Sequence, residues 1–396
     1  PFTQAQGCIN IIPNNGDYQT ANLKFEFDKT TAVGNVAFLF KGTDKVYYDA
    51  LAKKPATAVE LSGASAIFAD DTTVLINNAD ATELTLYFSE TAELEFDSST
   101  KEVKNSTKQL STTTKSGSDW QAAKPHLSND FTGFTFDFSS EGYALKDLLK
   151  GQLILVASDS TGVVQATEVQ AASALDALYA EQAKDLEFGA ILNDDGSTSF
   201  RLWAPTAQSV NLIPYTAEKA AQSAISMTFD ATTGSWEAEN TSLAHGDYYR
   251  YEVTVYHPST DKVETYEVTD PYSLSLAMNS QYTQVVDLSH ADVTPQGWSA
   301  LEAPQSQDNP AEFVLYEAHV RDFSAFDSST SEAQRGKFGA FTESDSVPVQ
   351  HLKALQQSGV THLHLLPVFD IATINEDPDE VANINEPFSK LCALDS

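Results

Sequence analysis

Several side chains in this sequence have types and spacings that invite chemistry. His362 and His364 share one face of a predicted strand, because side chains alternate with a period of two. Such a pair begins a metal site, but no third ligand is evident. Asp70-Asp71 and Asp194-Asp195 are acid pairs that, with backbone oxygens, suit calcium. Neither has the ligand spacing of an EF-hand, and 56 acids among 396 residues make chance pairs expected. The metal assignment stays open. Trp236 follows Gly234-Ser235 near a turn, so it is predicted exposed and is the leading candidate for stacking on a sugar. Trp203 lies on a predicted strand and reads as a core or interdomain residue. Trp120 and Trp298 lie in loops, where interdomain packing explains a tryptophan equally well. His319, Arg321 and Asp322 follow one predicted strand, and Asp370 follows another. Cys8 and Cys392 stand near opposite ends and form neither a disulfide framework nor a zinc pattern.

These side chains need elements to position them. Residues 1–59 read as a β-rich segment, with strict alternation over 23–27 and an apolar run over 36–40. Residues 60–185 read as a second β-domain, with strands near 73–76, 84–88, 134–138 and 153–156. The Ser/Thr/Lys-rich stretch 98–118 reads as a long loop or irregular hairpin. Ala171, Leu175, Leu178 and Tyr179 recur at helical spacing, so a short helix is expected to link domains. Residues 186–300 hold regularly spaced strands with turn signals, among them a nine-position β-branched and aromatic run over 248–256. That pattern predicts a β-sandwich. The pattern changes over 301–396. A strand over 313–317, a helix ending at Ser358-Gly359 and a strand over 361–368 make one βαβ unit, which calls for a parallel sheet. The predicted fold is multidomain: all-β sandwich domains followed by one βαβ unit of a parallel sheet.

Composition narrows the function classes. Hydrophobic residues are 41% and aromatics 10%, enough to build sizeable cores. No apolar run reaches the length of a membrane helix. The formal net charge of −33 repels phosphate backbones and anionic lipid, so nucleic acid is not an expected partner. A neutral polysaccharide carries no such penalty. The sequence opens Pro1-Phe2-Thr3, with no Met, and the expectation is either that a segment was removed or that this is a fragment.

Three stretches together resemble the bacterial type I pullulanases, starch-debranching members of the α-amylase family. Phe188-Gly-Ala-Ile-Leu192 with Phe200-Arg-Leu-Trp-Ala-Pro-Thr206 is similar to the opening of the family's starch-binding-type sandwich module. Tyr256-His-Pro258 with Tyr266-Glu-Val-Thr-Asp-Pro-Tyr272 is similar to its close. Tyr316-Glu-Ala-His-Val-Arg-Asp-Phe-Ser324, Gly359-Val-Thr-His362 and Leu366-Pro-Val-Phe-Asp370 resemble the first two strands of the catalytic (β/α)₈ barrel. The likeness is firm over 186–396. Residues 60–170 resemble the family's extra β-domain through Ala64-Ser-Ala-Ile-Phe68, and 1–59 the trailing part of a carbohydrate-binding domain.

The resemblance implies hydrolysis of α-1,6-glucosidic links in pullulan, amylopectin or limit dextrins with retention. It also implies an aspartate nucleophile and a glutamate acid/base flanking the scissile bond. In the family these carboxylates follow later barrel strands. The motifs Gly-Phe-Arg-Phe-Asp and Asp-Val-Val-Tyr-Asn-His do not occur here, so no catalytic residue is assigned and this chain alone is expected to be inactive. In the implied barrel, His319, Arg321, Asp322 and Asp370 stand at C-terminal strand ends, where they either touch substrate or fix loops. Calcium is common in the family; no organic cofactor is implied. The resemblance further implies that the remainder of the enzyme covers the two barrel strands, either in one chain or as a separate polypeptide. It also implies a disulfide from Cys392 to a cysteine outside this chain, and a bacterial protein exported to the cell surface or medium. Two other readings compete: a non-catalytic α-glucan-binding protein, and an isoamylase or branching enzyme of the same superfamily.

Overall fold

A computed structural model describes residues 59–127, 130–302, 309–369 and 374–377, and the backbone of four short strands within the first 47 residues. Those four form two antiparallel pairs: Cys8–Ile11 with Leu23–Glu26, and Phe38–Leu39 with Val46–Tyr47. The rest of the segment expected over 1–59, with the Cys8 side chain, Asp370 and Cys392, lies outside the described residues.

A seven-stranded sheet fills the next region. Its order is Lys108–Thr112, Glu83–Ser89, Gln152–Asp159, Gly162–Gln170, Leu61–Phe68, Thr73–Ile76, Thr132–Thr135. Gly162–Gln170 and Leu61–Phe68 run parallel; the other neighbours are antiparallel. The chain after Thr112 bridges back, since Thr135 N–H donates to Thr114 O at 2.9 Å and Lys115 pairs with Phe134. The two outer strands are thereby joined and the sheet wraps its core of Phe68, Phe134, Phe136, Leu84 and Leu155. Gln152–Asp159 is buried on both faces. Leu153 and Leu155 enter that core, while Ile154 and Val156 pack beneath Leu94 and Phe96. This explains the continuous apolar run in its sequence. The stretch 98–118 holds two strands, Glu102–Lys104 and Lys108–Thr112. Glu102–Lys104 turns back on Glu95–Asp97 in a hairpin, the second of the two alternatives expected for this stretch, and Lys108–Thr112 pairs with Glu83–Ser89.

A helical connection spans 172–183, with a π-turn at Asp176–Ala180. It places Tyr179, fully buried, against the following domain. That domain is a β-sandwich. One sheet runs Gly189–Leu192, Thr198–Trp203, Ser235–Thr241, Thr228–Asp230; the other runs Ile225–Ser226, Ala207–Tyr215, Tyr248–His257, Lys262–Val268, with Thr283–Gln284 also on Tyr248–His257. Phe200, Leu202, Val210, Leu212, Trp236, Tyr249 and Tyr251 fill the space between. The seam with the preceding domain is specific. Lys146 Nζ donates to Ala231 O at 2.8 Å. Gln208 Nε2 reaches Glu90 O at 2.8 Å and Lys150 O at 3.1 Å. Lys150 Nζ stands 3.9 Å from the Phe229 ring centroid.

Beyond the sandwich, Leu315–Ala318 and His362–Leu365 pair in parallel. Between them lies helix Val347–Gln357, with Pro348 in its first turn and Gly359 in the left-handed conformation (φ 104°) just beyond its end. This is one βαβ crossover. Every parallel α/β sheet contains such a unit, so the barrel expected from the sequence is not established by the described residues. Leu315 is 61% exposed and Phe326 96% exposed on this part of the chain.

Candidate functional site

The strand Tyr248–His257 sorts its side chains by parity. Tyr249 and Tyr251 enter the sandwich core, so Tyr248 and Arg250 point outward. Tyr215 lies directly across from Tyr248 in the sheet register. Tyr282 joins them from the loop that precedes Thr283–Gln284. Its ring meets Tyr215 edge-on at 4.9 Å and Tyr248 at 6.1 Å. Arg250 lays its guanidinium 4.3 Å from the Tyr282 centroid, and Lys219 Nζ stands 5.5 Å from both Tyr248 and Tyr282. Arg250 is fixed by donation to Gln281 O at 2.5 Å and to Glu267 Oε2 at 3.1 Å. Tyr215 donates its hydroxyl to the same carboxylate. Burial, then that bond, pushes the Tyr215 phenol up to about 12, so it stays a hydrogen-bond donor at neutral pH.

Partly exposed rings offer apolar surface, while a guanidinium, an ammonium and a carboxylate surround it. That combination suits a neutral polyhydroxylated ligand, whose C–H faces lie on rings and whose hydroxyls bond to charged groups. The sequence reading missed this face. Tyr248 and Arg250 were visible only as part of a strand, and Lys219 and Tyr282 reach it from loops.

The tryptophan expected to be exposed is in the core. Trp236 is 7% exposed, its Nε1 donates to Ala204 O at 3.0 Å, and Phe229 and Lys150 cover its ring. Its side chain stands on the face of Ser235–Thr241 that packs against the opposite sheet, with Val210, Leu212, Tyr249 and Tyr251, so the nearby turn does not expose it. Trp203 is half-buried and donates to Thr233 O at 3.1 Å; Trp120 is buried; Trp298 is 63% exposed. His319, Arg321 and Asp322 do lie together at the C-terminal end of Leu315–Ala318. His319 caps the short helix Val320–Ser324, its Nδ1 accepting the Arg321 N–H at 3.1 Å. His362 and His364 take separate partners, Thr361 Oγ1 at 2.8 Å and Glu317 at 3.5 Å.

The acid pairs serve turns. Asp70 Oδ1 accepts from Thr72 N, Thr72 Oγ1 and Thr73 N; Asp195 Oδ1 accepts from Ser197 N and Oγ. Among the described residues, His245, His290 and Asp292 bring three ligand atoms within 4.8 Å of one another. Their geometry is that of a hydrogen-bonded triad. His245 Nδ1 accepts the Asp287 N–H at 2.9 Å, which puts the imidazole proton on Nε2, facing Asp292 at 3.1 Å. A metal-bound imidazole needs the opposite arrangement, with its second nitrogen donating.

Comparison with known proteins sets this geometry in context. Residues 63–177 match the Pullulanase N2 domain, 187–273 match carbohydrate-binding module 48 (isoamylase N-terminal domain), and 371–396 match the Pullulanase Ins domain. Over its full length the chain is 39% identical to a pullulanase of Klebsiella pneumoniae and 37% identical to one of Klebsiella aerogenes. It spans 36% of the length of each. The crystal structure of PulA from Klebsiella oxytoca superposes with a TM-score of 0.78 at 39% identity, covering 100% of this chain and 37% of that one.

Proposed function

From the premise that this chain consists of pullulanase N-terminal domains, we propose that it is the N-terminal part of a starch-debranching glycoside hydrolase acting on α-1,6-glucosidic links. The observation that carries this reading is the match over the whole chain to Klebsiella pullulanases. In this reading the crossover Leu315–Ala318 to His362–Leu365 opens a (β/α)₈ barrel. The retaining carboxylate pair belongs to the share of the relatives' length that this chain does not span. The sandwich module holds α-glucan on the face of Tyr248, Tyr282, Arg250 and Lys219.

Affinity electrophoresis through amylopectin or pullulan gels tests the binding part. The chain should be retarded, and Tyr248→Ala with Tyr282→Ala should weaken retention by about thirtyfold, given roughly 1 kcal/mol per ring. Unretarded migration of the wild-type chain would leave the module with a bracing role only. Reducing-end release from pullulan tests the catalytic part: the extended polypeptide should release sugar and this chain alone should not.

A further inference from the structure

Asn279 sits at the tip of the loop that carries Tyr282, with φ 56° and ψ 27°. Asparagine tolerates this left-handed conformation better than most residues. From there it presents three polar groups to a stretch 96 and 97 residues away. Its backbone N–H donates to Glu376 Oε2 at 2.6 Å, and its Nδ2 donates to Asn375 Oδ1 at 2.9 Å. Its Oδ1 accepts the Glu376 backbone N–H at 2.7 Å. Residues 375 and 376 belong to the stretch that matches the Ins domain.

The base of the same loop is part of the aromatic face. Ala277 N–H donates to Tyr282 O at 2.9 Å, and Leu276 bridges to Thr283, so the loop is a closed hairpin. Gln281 O holds Arg250, and Tyr282 lies under its guanidinium. Only Ser280 and Gln281 separate Tyr282 from the tip. We infer that this hairpin couples the aromatic face to residues 374–377, with Asn279 as the positioning residue. A glucan on Tyr248 and Tyr282 steadies the hairpin and, through Asn279, the stretch beyond the second parallel strand. By linkage, loss of the Asn279 contact weakens glucan binding by the same factor. The coupling rests on the glucan reading of the face; the Asn279 contact itself does not.

Amide hydrogen exchange on the whole chain, with and without maltohexaose, separates the two. Asn279→Gly keeps the left-handed backbone accessible and removes only the side-chain bonds. Without sugar, the Glu376 amide should exchange about fivefold faster in N279G than in wild type. With sugar, residues 374–377 should gain protection in wild type and not in N279G, while thermal unfolding shows both folded. Equal exchange in the two proteins without sugar would overturn the contact. Sugar-induced protection that persists in N279G would overturn the coupling through Asn279. Failure of maltohexaose to bind wild type would overturn the glucan reading, and the coupling with it, while the sugar-free comparison still decides the contact.

Discussion

Tyr249 donates its hydroxyl to Asp270 Oδ2 at 2.7 Å inside the sandwich module, where the two residues are 1% and 3% exposed. Tyr251 donates to the same oxygen at 3.1 Å, and the Tyr272 N–H occupies Oδ1 at 2.7 Å. A buried carboxylate survives only when its lone pairs are satisfied. Here the two core-facing tyrosines of one strand hold the turn that closes the module.

Removing one donor should therefore be costly although the change is a single oxygen. Tyr249→Phe is expected to destabilise the chain by about 1–3 kcal/mol, since Asp270 keeps its charge but loses a partner. Urea unfolding followed by tryptophan fluorescence measures this. A loss within error of zero would show that water replaces the hydroxyl.

The same carboxylate predicts a pH dependence. Burial raises the Asp270 pKa above the ordinary 3.8, and the tyrosine and backbone donors lower it only in part. A raised folded-state value means stability that is present below about 3.8 and lost as pH rises through the folded value. Relative to Asp270→Asn, wild type should lose stability as pH rises from about 4 and then level off. A constant difference across a pH series of urea midpoints would contradict the raised value.

Gly234 sits at φ 73° beneath the interdomain Tyr179, and a methyl there would meet Pro205 Cβ at 2.9 Å and Tyr179 Cδ1 at 3.0 Å. Gly234→Ala should cost about 2 kcal/mol or more through backbone strain and displacement of Tyr179. Differential scanning calorimetry reads it. Gly246, with a similar φ of 98° and open space around it, is the control that isolates the strain.

Lys150 stacks its ammonium on Phe229 across the domain seam, and burial lowers its pKa. A double-mutant cycle with Lys150→Met and Phe229→Leu should return a coupling of about 0.5–2 kcal/mol. No coupling would mean that Lys150 and Phe229 add nothing to the seam beyond the bonds of Lys146 and Gln208 and the packing of Tyr179.

Much of the architecture was legible in the residues, because local periodicity reports local structure. The β-branched and aromatic run over 248–256 marked the strand, Ser358-Gly359 marked the end of the helix, and Phe200-Arg-Leu-Trp-Ala-Pro-Thr206 marked the module. Periodicity does not say which parity faces the core. Only the packing of two sheets sent Tyr249 and Tyr251 inward and left Tyr248 and Arg250 outside. Turn chemistry next to Trp236 suggested exposure, but the packing of the second sheet on its face buried it. The aromatic face joins residues 215, 219, 248, 250, 267 and 282, and the Asn279 contact spans 97 positions. Such long-range meetings depend on sheet register and loop closure, which no local window contains. The sequence by itself marked most of the strands and carried the family resemblance; tertiary structure alone decided which side chains share a surface.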